Sequence, residues 1–189
     1  MKKTCIVLIL SLIFINLCKA QKKSPKVNTN FNKEFRKNIK SFSGKFSKSK
    51  YKDFKKILER ELDTIIPEGK TIIIHYNQKA PNCPIKRKYL PGVTKNKIRI
   101  SSSISSKYNA VDFFVYSKDT YHKDFFQNNK NYILDSGYFY KAIFTLHKIC
   151  SAFLVLKPNG EILKHYDADY FSQMGDFLKS SIKIKPKKE

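Results

Sequence analysis

Between Tyr51 and Ile65 the apolar side chains fall at Phe54, Ile57, Leu58, Leu62 and Ile65, a spacing that gathers them into one stripe of an α-helix. Pro67-Glu68-Gly69 supplies its stop. Thr71 to Tyr76 (TIIIHY) breaks that rhythm with a continuous, largely β-branched run that does not alternate, the pattern of a strand covered on both faces. A loop carrying Pro81, Pro84, Pro91 and Gly92 follows, and Ala110 to Tyr116 (AVDFFVY) predicts a second strand. A short helical segment from His122 to Asn128 then leads to Tyr132-Ile133-Leu134-Asp135-Ser136-Gly137. Tyr138 to His147 (YFYKAIFTLH) is mixed: Phe139, Ile143 and Leu146 share a face if it is helical, while its aromatics also suit a strand.

The clearest local signal runs from Ala152 to Tyr166, where two apolar β runs flank Pro158-Asn159-Gly160, a turn whose glycine can take positive φ. This predicts a β-hairpin. Phe171, Met174, Phe177, Leu178 and Ile182 then recur at helical spacing, so Tyr170 to Ile182 should close the domain as a helix. Strand, helix, strand, helix, hairpin, helix predicts an α/β domain with a mixed central sheet and helices on both faces. Upstream, residues 21–50 are rich in Lys, Asn and Ser with irregularly spaced phenylalanines, which reads as a disordered basic arm before a domain at 51–185.

The first twenty residues join Lys2 and Lys3 to an apolar stretch from Cys5 to Leu17, too short to span a bilayer, followed by Cys18-Lys19-Ala20. That is a signal-peptide pattern, with cleavage expected between Ala20 and Gln21 and a secreted or periplasmic mature chain without a transmembrane segment. A lipidated Cys18 is the rival expectation, disfavoured by Leu17 just before it. The net charge is +23, and losing Lys2, Lys3 and Lys19 leaves +20. Such a charge can hold polyanions. It is nearly all lysine spread along the chain, however, and the four arginines, Arg36, Arg60, Arg87 and Arg99, form no arginine–aromatic motif of a nucleic-acid module. The expected partner is an acidic protein or anionic surface, with no specific nucleic acid.

Cleavage would also remove Cys5 and Cys18, leaving Cys83 and Cys150. Two cysteines in an oxidising compartment make one disulfide or two unpaired thiols. The element order and two local stretches resemble the thioredoxin-like fold family, particularly its secreted bacterial and peroxiredoxin-like branches. In that family a buried strand leads to a Cys-x-x-Cys at a helix start. Here Thr71 to Tyr76 leads to Ala80-Pro81-Asn82-Cys83, with alanine in place of the first cysteine. Ile133 to Gly137 resembles the family's Leu-Asp-x-x-Gly stretch, and Ser151 to Glu161 its penultimate hairpin.

The resemblance implies a site at Cys83 and Cys150, with Pro81, Asn82 and Ser151 lining a substrate groove. Four positions depart from that family's chemistry. Dithiol exchange needs an exposed thiolate at a helix N-terminus and a second thiol to resolve the mixed disulfide. Ala80 cannot be that thiolate, Ile74 stands where thioredoxins carry a buried acid, Lys79 replaces a tryptophan and Ser151 the cis-proline. By the same correspondence Cys150 precedes the cis-proline position and lies beside the active-site helix, so Cys83 and Cys150 are expected within disulfide reach, a bridge worth roughly 4 kcal/mol on chain-entropy grounds. A structural staple is the first expectation, a redox-active pair the second, two inert thiols the third. In the peroxiredoxin branch the motif is Thr-x-x-Cys followed by proline. Cys83 and Pro84 match it, Ala80 and Tyr76 do not, and Arg87 and Arg99 are available as thiolate stabilisers.

The histidines, His75, His122, His147 and His165, show no zinc motif, and neither metal nor cofactor is expected. His75 reads as a hydrogen-bonded core or rim residue, and the His147/Cys150 spacing as coincidence. Asp167 and Asp169 suggest a helix cap before Tyr170. Serines 101–103 and 105–106 lack the surroundings of a nucleophile elbow, and the glycines are scattered singly, without a phosphate loop. The sequence therefore predicts a thioredoxin-like binding or accessory module without ordinary dithiol oxidoreductase activity. Its alternative is a thiol-disulfide or peroxide oxidoreductase using Cys83 as catalytic residue.

Overall fold

The computed structural model describes residues 26–180. The expected signal peptide, its cleavage point, Cys18 and the first residues of the arm lie outside them. Asn32 caps α1 (Lys33–Lys37) by accepting from the Phe35 N–H, and β1 (Lys40–Lys45) follows. Ser47 accepts from the Lys50 N–H and starts α2 (Lys48–Glu61), which buries Tyr51, Lys55 and Leu58. β2 (Thr71–Asn77) is buried at every position. A 3₁₀ turn at Arg87–Tyr89 feeds α3 (Leu90–Lys107), with Pro91 in the first turn where its missing N–H leaves no bond unmade. Then come β3 (Ala110–Tyr116), α4 (Lys123–Gln127), β4 (Tyr132–Leu134), a π-helical turn at Phe139–Ile143, β5 (Ser151–Leu156), β6 (Glu161–Tyr166) and α5 (Phe171–Lys179).

The six strands form one mixed sheet in the order β1-β6-β5-β2-β3-β4. β2 runs parallel to β3, and β3 to β4, whereas β5 is antiparallel to β2 and β6, and β1 antiparallel to β6. The register sets Tyr76 opposite Ala152 and Asn77 opposite Ser151 at the end of β2. Because alternate residues of a strand face opposite sides, β2 feeds two cores. Ile72, Ile74 and Tyr76 pack with Leu154, Leu156 and Leu58 of α2. On the other face Ile73, Phe153 and Val155 meet Tyr170, Met174 and Phe177, with Ile104 of α3 against them. A strand apolar on both sides is what the isoleucine run required, and the α/β class with helices on both faces follows from it.

Four expectations are corrected. Residues 26–50 are not a disordered arm: Phe35 is buried, and Lys40–Lys45 pairs along its whole length with β6, because residues that face water on an edge strand need no apolar pattern. The helix expected at 51–65 runs from Lys48 to Glu61, since Ser47 caps it and Asp63 turns left-handed (φ 47) after the Leu62 C-cap, leaving Ile65 exposed. The loop expected after Pro84 contains the long helix α3. Asp167 does not cap α5, whose N-cap is Tyr170 without a side-chain bond. Its carboxylate accepts instead from the Ala168 and Asp169 N–H groups. The closing helix is described to Lys179, and the Ile182 expected within it lies outside the described residues.

Candidate functional site

At the rim of the sheet where β2 ends, Cys83 and Cys150 are joined by a disulfide with Cα atoms 5.2 Å apart. Backbone bonds position both sulfurs. The Gln78 N–H donates to the Cys150 carbonyl (2.9 Å), the Cys150 N–H to Asn82 (3.1 Å) and the Asn82 N–H to Lys148 (3.3 Å). On its other side, the 81–83 segment meets the N-terminal chain: the Asn28 N–H donates to Pro81 (2.7 Å) and the Cys83 N–H to Asn28 (2.8 Å). Asn28, Asn82 and Ile149 are thus rungs of a small parallel array, tied also by Asn28 Nδ2 donating to Asn82 Oδ1 at 2.7 Å. Asn82 is buried, and its Nδ2 donates to the Lys148 carbonyl.

This arrangement relocates Cys83. The resemblance implied a cysteine at a helix start, yet residues 84–86 are irregular, a 3₁₀ turn follows at Arg87–Tyr89, α3 begins only at Leu90, and Pro84 disfavours a helical conformation at Cys83 itself. Cys83 therefore receives no field from a helix N-terminus. Cys150 is buried and Cys83 half-buried beside a recess of about 20 Å³ lined by Asn77, Leu90, Thr120, His122 and Ser151. Two buried polar atoms there, Asn77 Nδ2 and Ser151 Oγ, have no hydrogen-bond partner among the described residues. Ala80 is buried, Ile74 lies in the core beneath α2 and Lys79 faces solvent. Arg87 is ion-paired with Asp124, and Arg99 is exposed on α3, so neither is drawn toward the cysteines as a thiolate stabiliser. Gln78 buttresses the site, with Nε2 donating to Leu146 and Ile149 and Oε1 within 2.9 Å of His147 Nδ1.

A second polar cluster, only partly legible in the sequence, lies on the α5 side of the sheet. His75 is fully buried, with Nδ1 2.7 Å from Tyr170 Oη, Nε2 2.6 Å from Ser101 Oγ, and its ring stacked on Phe114. Burial, with Lys97 nearby, holds its pKa well below the usual imidazole value. Lys97 is buried on α3 above the Tyr170 ring, and desolvation lowers its pKa to about 7. The spacing of Leu90, Thr94, Lys97, Ser101 and Ser105, the buried stripe of α3, was the available signal, masked because four of the five are polar.

Among the described residues no group of three His, Cys, Asp or Glu side chains could hold a metal ion, and no helix is long and apolar enough to cross a membrane. No family model, no curated protein and no solved structure matches this chain.

Proposed function

We propose that the chain is a thioredoxin-like domain, secreted or periplasmic, serving as a binding or accessory module rather than as an ordinary dithiol oxidoreductase. The strand order β3-β2-β5-β6, with a parallel pair, an antiparallel hairpin and a closing helix, supports the thioredoxin-like reading. One observation carries the functional half. Cys83 and Cys150 are bonded to each other, away from any helix N-terminus, while Ala80 occupies the position an attacking thiol would need. A thiolate without dipole or cationic support keeps an ordinary pKa and reacts slowly at neutral pH. The disulfide then acts as a staple between the 81–83 segment and the start of β5.

The test uses the folded protein after reduction. Alkylation of Cys83 should be no faster than that of a model thiol, and catalysed reduction of a protein disulfide substrate by dithiothreitol should stay at the uncatalysed rate. Alkylation well above the model thiol, or turnover, would overturn this reading. It would favour thiol-disulfide exchange or peroxide reduction at Cys83, the reading to which the half-buried sulfur and the unpartnered Asn77 and Ser151 groups beside it lend support.

A further inference from the structure

Two contiguous recesses run along the outer side of α2, about 530 and 450 Å³ in volume, sharing Lys48, Tyr51 and Pro158 as common walls. One wall is the helix and the other the tight turn at Pro158-Asn159-Gly160. Five lysines line the pair, and among them only Lys55 has a carboxylate within 4 Å, although Glu68 also acts on Lys52 from farther off. Lys55 lies 3.3 Å from Glu59 and 2.7 Å from Glu68, the two carboxylates of the groove, with its own side chain 9% exposed. Lys45, Lys48, Lys52 and Lys56 are exposed and have no acidic partner within 4 Å among the described residues. Lys48, Lys52 and Lys56 stand one above another at i, i+4 and i+8, about 6 Å apart along the helix axis.

We propose that this groove binds an extended acidic segment of a partner protein, with carboxylates at alternate residues meeting Lys48, Lys52 and Lys56. Alternate residues of an extended chain lie about 6.7 Å apart on one side, which keeps them in step with lysines on successive helical turns. The charge is complementary, and the concave shape between helix and turn suits a single strand of chain. Other polyanions fit less well. The groove contains no arginine for bidentate phosphate recognition. Of its two aromatic rings, Tyr51 is buried and Phe46 is half-buried, packed edge-to-face with Phe54 against the core, so the groove has no free-standing ring as a stacking platform.

The proposal rests on the reading of the chain as a binding module and names that module's surface. Its failure is separable, because binding is measured with the disulfide intact whereas the thiol test does not touch the groove. The probe is a fluorescent peptide of alternating Glu and Ser, titrated with the full chain and followed by anisotropy at several salt concentrations. Lys48→Ser/Lys52→Ser/Lys56→Ser should weaken binding by about tenfold and reduce its salt dependence. Lys86→Ser/Lys95→Ser/Lys123→Ser removes the same charge from exposed positions outside the groove and should change affinity less than about threefold. Equal losses in the two variants, or no binding of the peptide, would overturn the proposal. So would a single-stranded oligonucleotide or an anionic lipid vesicle that binds more tightly than the peptide and loses that binding in the groove variant. Urea midpoints of both variants, expected unchanged, separate lost binding from lost folding.

Discussion

Lys97 Nζ stands 4.8 Å from the centre of the Tyr170 ring, buried between α3 and the start of α5, with no carboxylate within 4 Å among the described residues. The groups facing it are His75, itself held neutral by burial, and the Tyr170 ring. The folded lysine gives up its proton near pH 7, while an unfolded one keeps it to above pH 10. Between those values the unfolded chain holds the extra proton, so stability rises with pH, by up to about 1.4 kcal/mol per unit. His75 acts with the same sign in acid, because its lowered pKa means stability is lost as pH falls below about 6.5. Above pH 10 the raised Tyr76 and Tyr170 oppose the trend, since their phenols ionise first in the unfolded chain. Urea unfolding at pH 7 and 9.5 therefore reads the buried lysines, with Lys164, whose pKa partial burial also lowers, adding to Lys97 with the same sign, and the Lys97 variant separates the two. Lys97→Met should raise stability at pH 7 by about 2 kcal/mol and flatten the slope; a variant with the native slope would show that Lys97 stays charged in the fold.

Gly160 takes φ +86 in the hairpin turn, and a Cβ built on it would meet the Phe46 carbonyl oxygen at 2.5 Å. The Phe46 N–H also donates to the Gly160 carbonyl, so the two backbones cannot separate without losing a bond. Gly160→Ala should cost about 2–4 kcal/mol through clash and left-handed strain together. Gly175, inside α5 with open space for a methyl group, is the control, and Gly175→Ala should stabilise by about 0.5–1 kcal/mol. Urea midpoints of the two variants should move in opposite directions. Movement of both the same way would contradict the turn's close approach to Phe46.

The contrast between β2 and α3 shows what the sequence could convey. β2 announced itself because a strand buried on both faces needs apolar residues at every step, and Ile72, Ile73 and Ile74 supply them. The hairpin was equally plain, since Pro158-Asn159-Gly160 interrupts two runs of strand-forming residues. α3 was hidden because its buried stripe is Leu90, Thr94, Lys97, Ser101 and Ser105, whose polarity reads as solvent exposure until His75 and Tyr170 are seen to pack against it. β1 was hidden for the opposite reason: its side chains face water, and its pairing with β6 is carried by backbone groups common to every sequence. Of the site, the proximity of Cys83 and Cys150 was reached only through the resemblance to the thioredoxin-like family, since two cysteines alone leave a disulfide and two free thiols equally open. The Asn28 rung that ties the N-terminal chain to Asn82 was not, because one asparagine among many carries no periodic mark.

The disulfide closes a sequence separation of 67 residues, and restricting the unfolded chain over that span is worth about 4 kcal/mol on chain-entropy grounds. Cys83→Ser/Cys150→Ser should lose about that much in urea unfolding, and the wild type in dithiothreitol should fall to the same stability. The folded structure should persist, since the Cys83 and Cys150 N–H groups stay bonded to Asn28 and Asn82. Hydrogen exchange at those two amides checks this directly. Loss of their protection before global unfolding would mean that the sulfur bridge, rather than the backbone array, holds the rim together.

Asp135 is buried and accepts four hydrogen bonds: from Tyr76 Oη at 2.7 Å, and from the N–H groups of Gly137, Phe139 and Tyr140 at 2.8, 3.1 and 2.9 Å. It thereby starts the π-helical turn at Phe139–Ile143 and fixes it to the central strand through the fully buried Tyr76. Asp135→Ala would orphan all four donors and should cost about 3–5 kcal/mol. Asp135→Asn keeps one acceptor oxygen and should cost less. Tyr76→Phe alone removes one bond, worth about 1–2 kcal/mol, but in the Asp135→Ala background it removes a hydroxyl already without its partner and should cost little or even stabilise. The double-mutant cycle measured by urea unfolding should therefore give a coupling of about 1–2 kcal/mol. Additive losses would mean that the hydroxyl finds another acceptor and that Asp135 serves the turn alone.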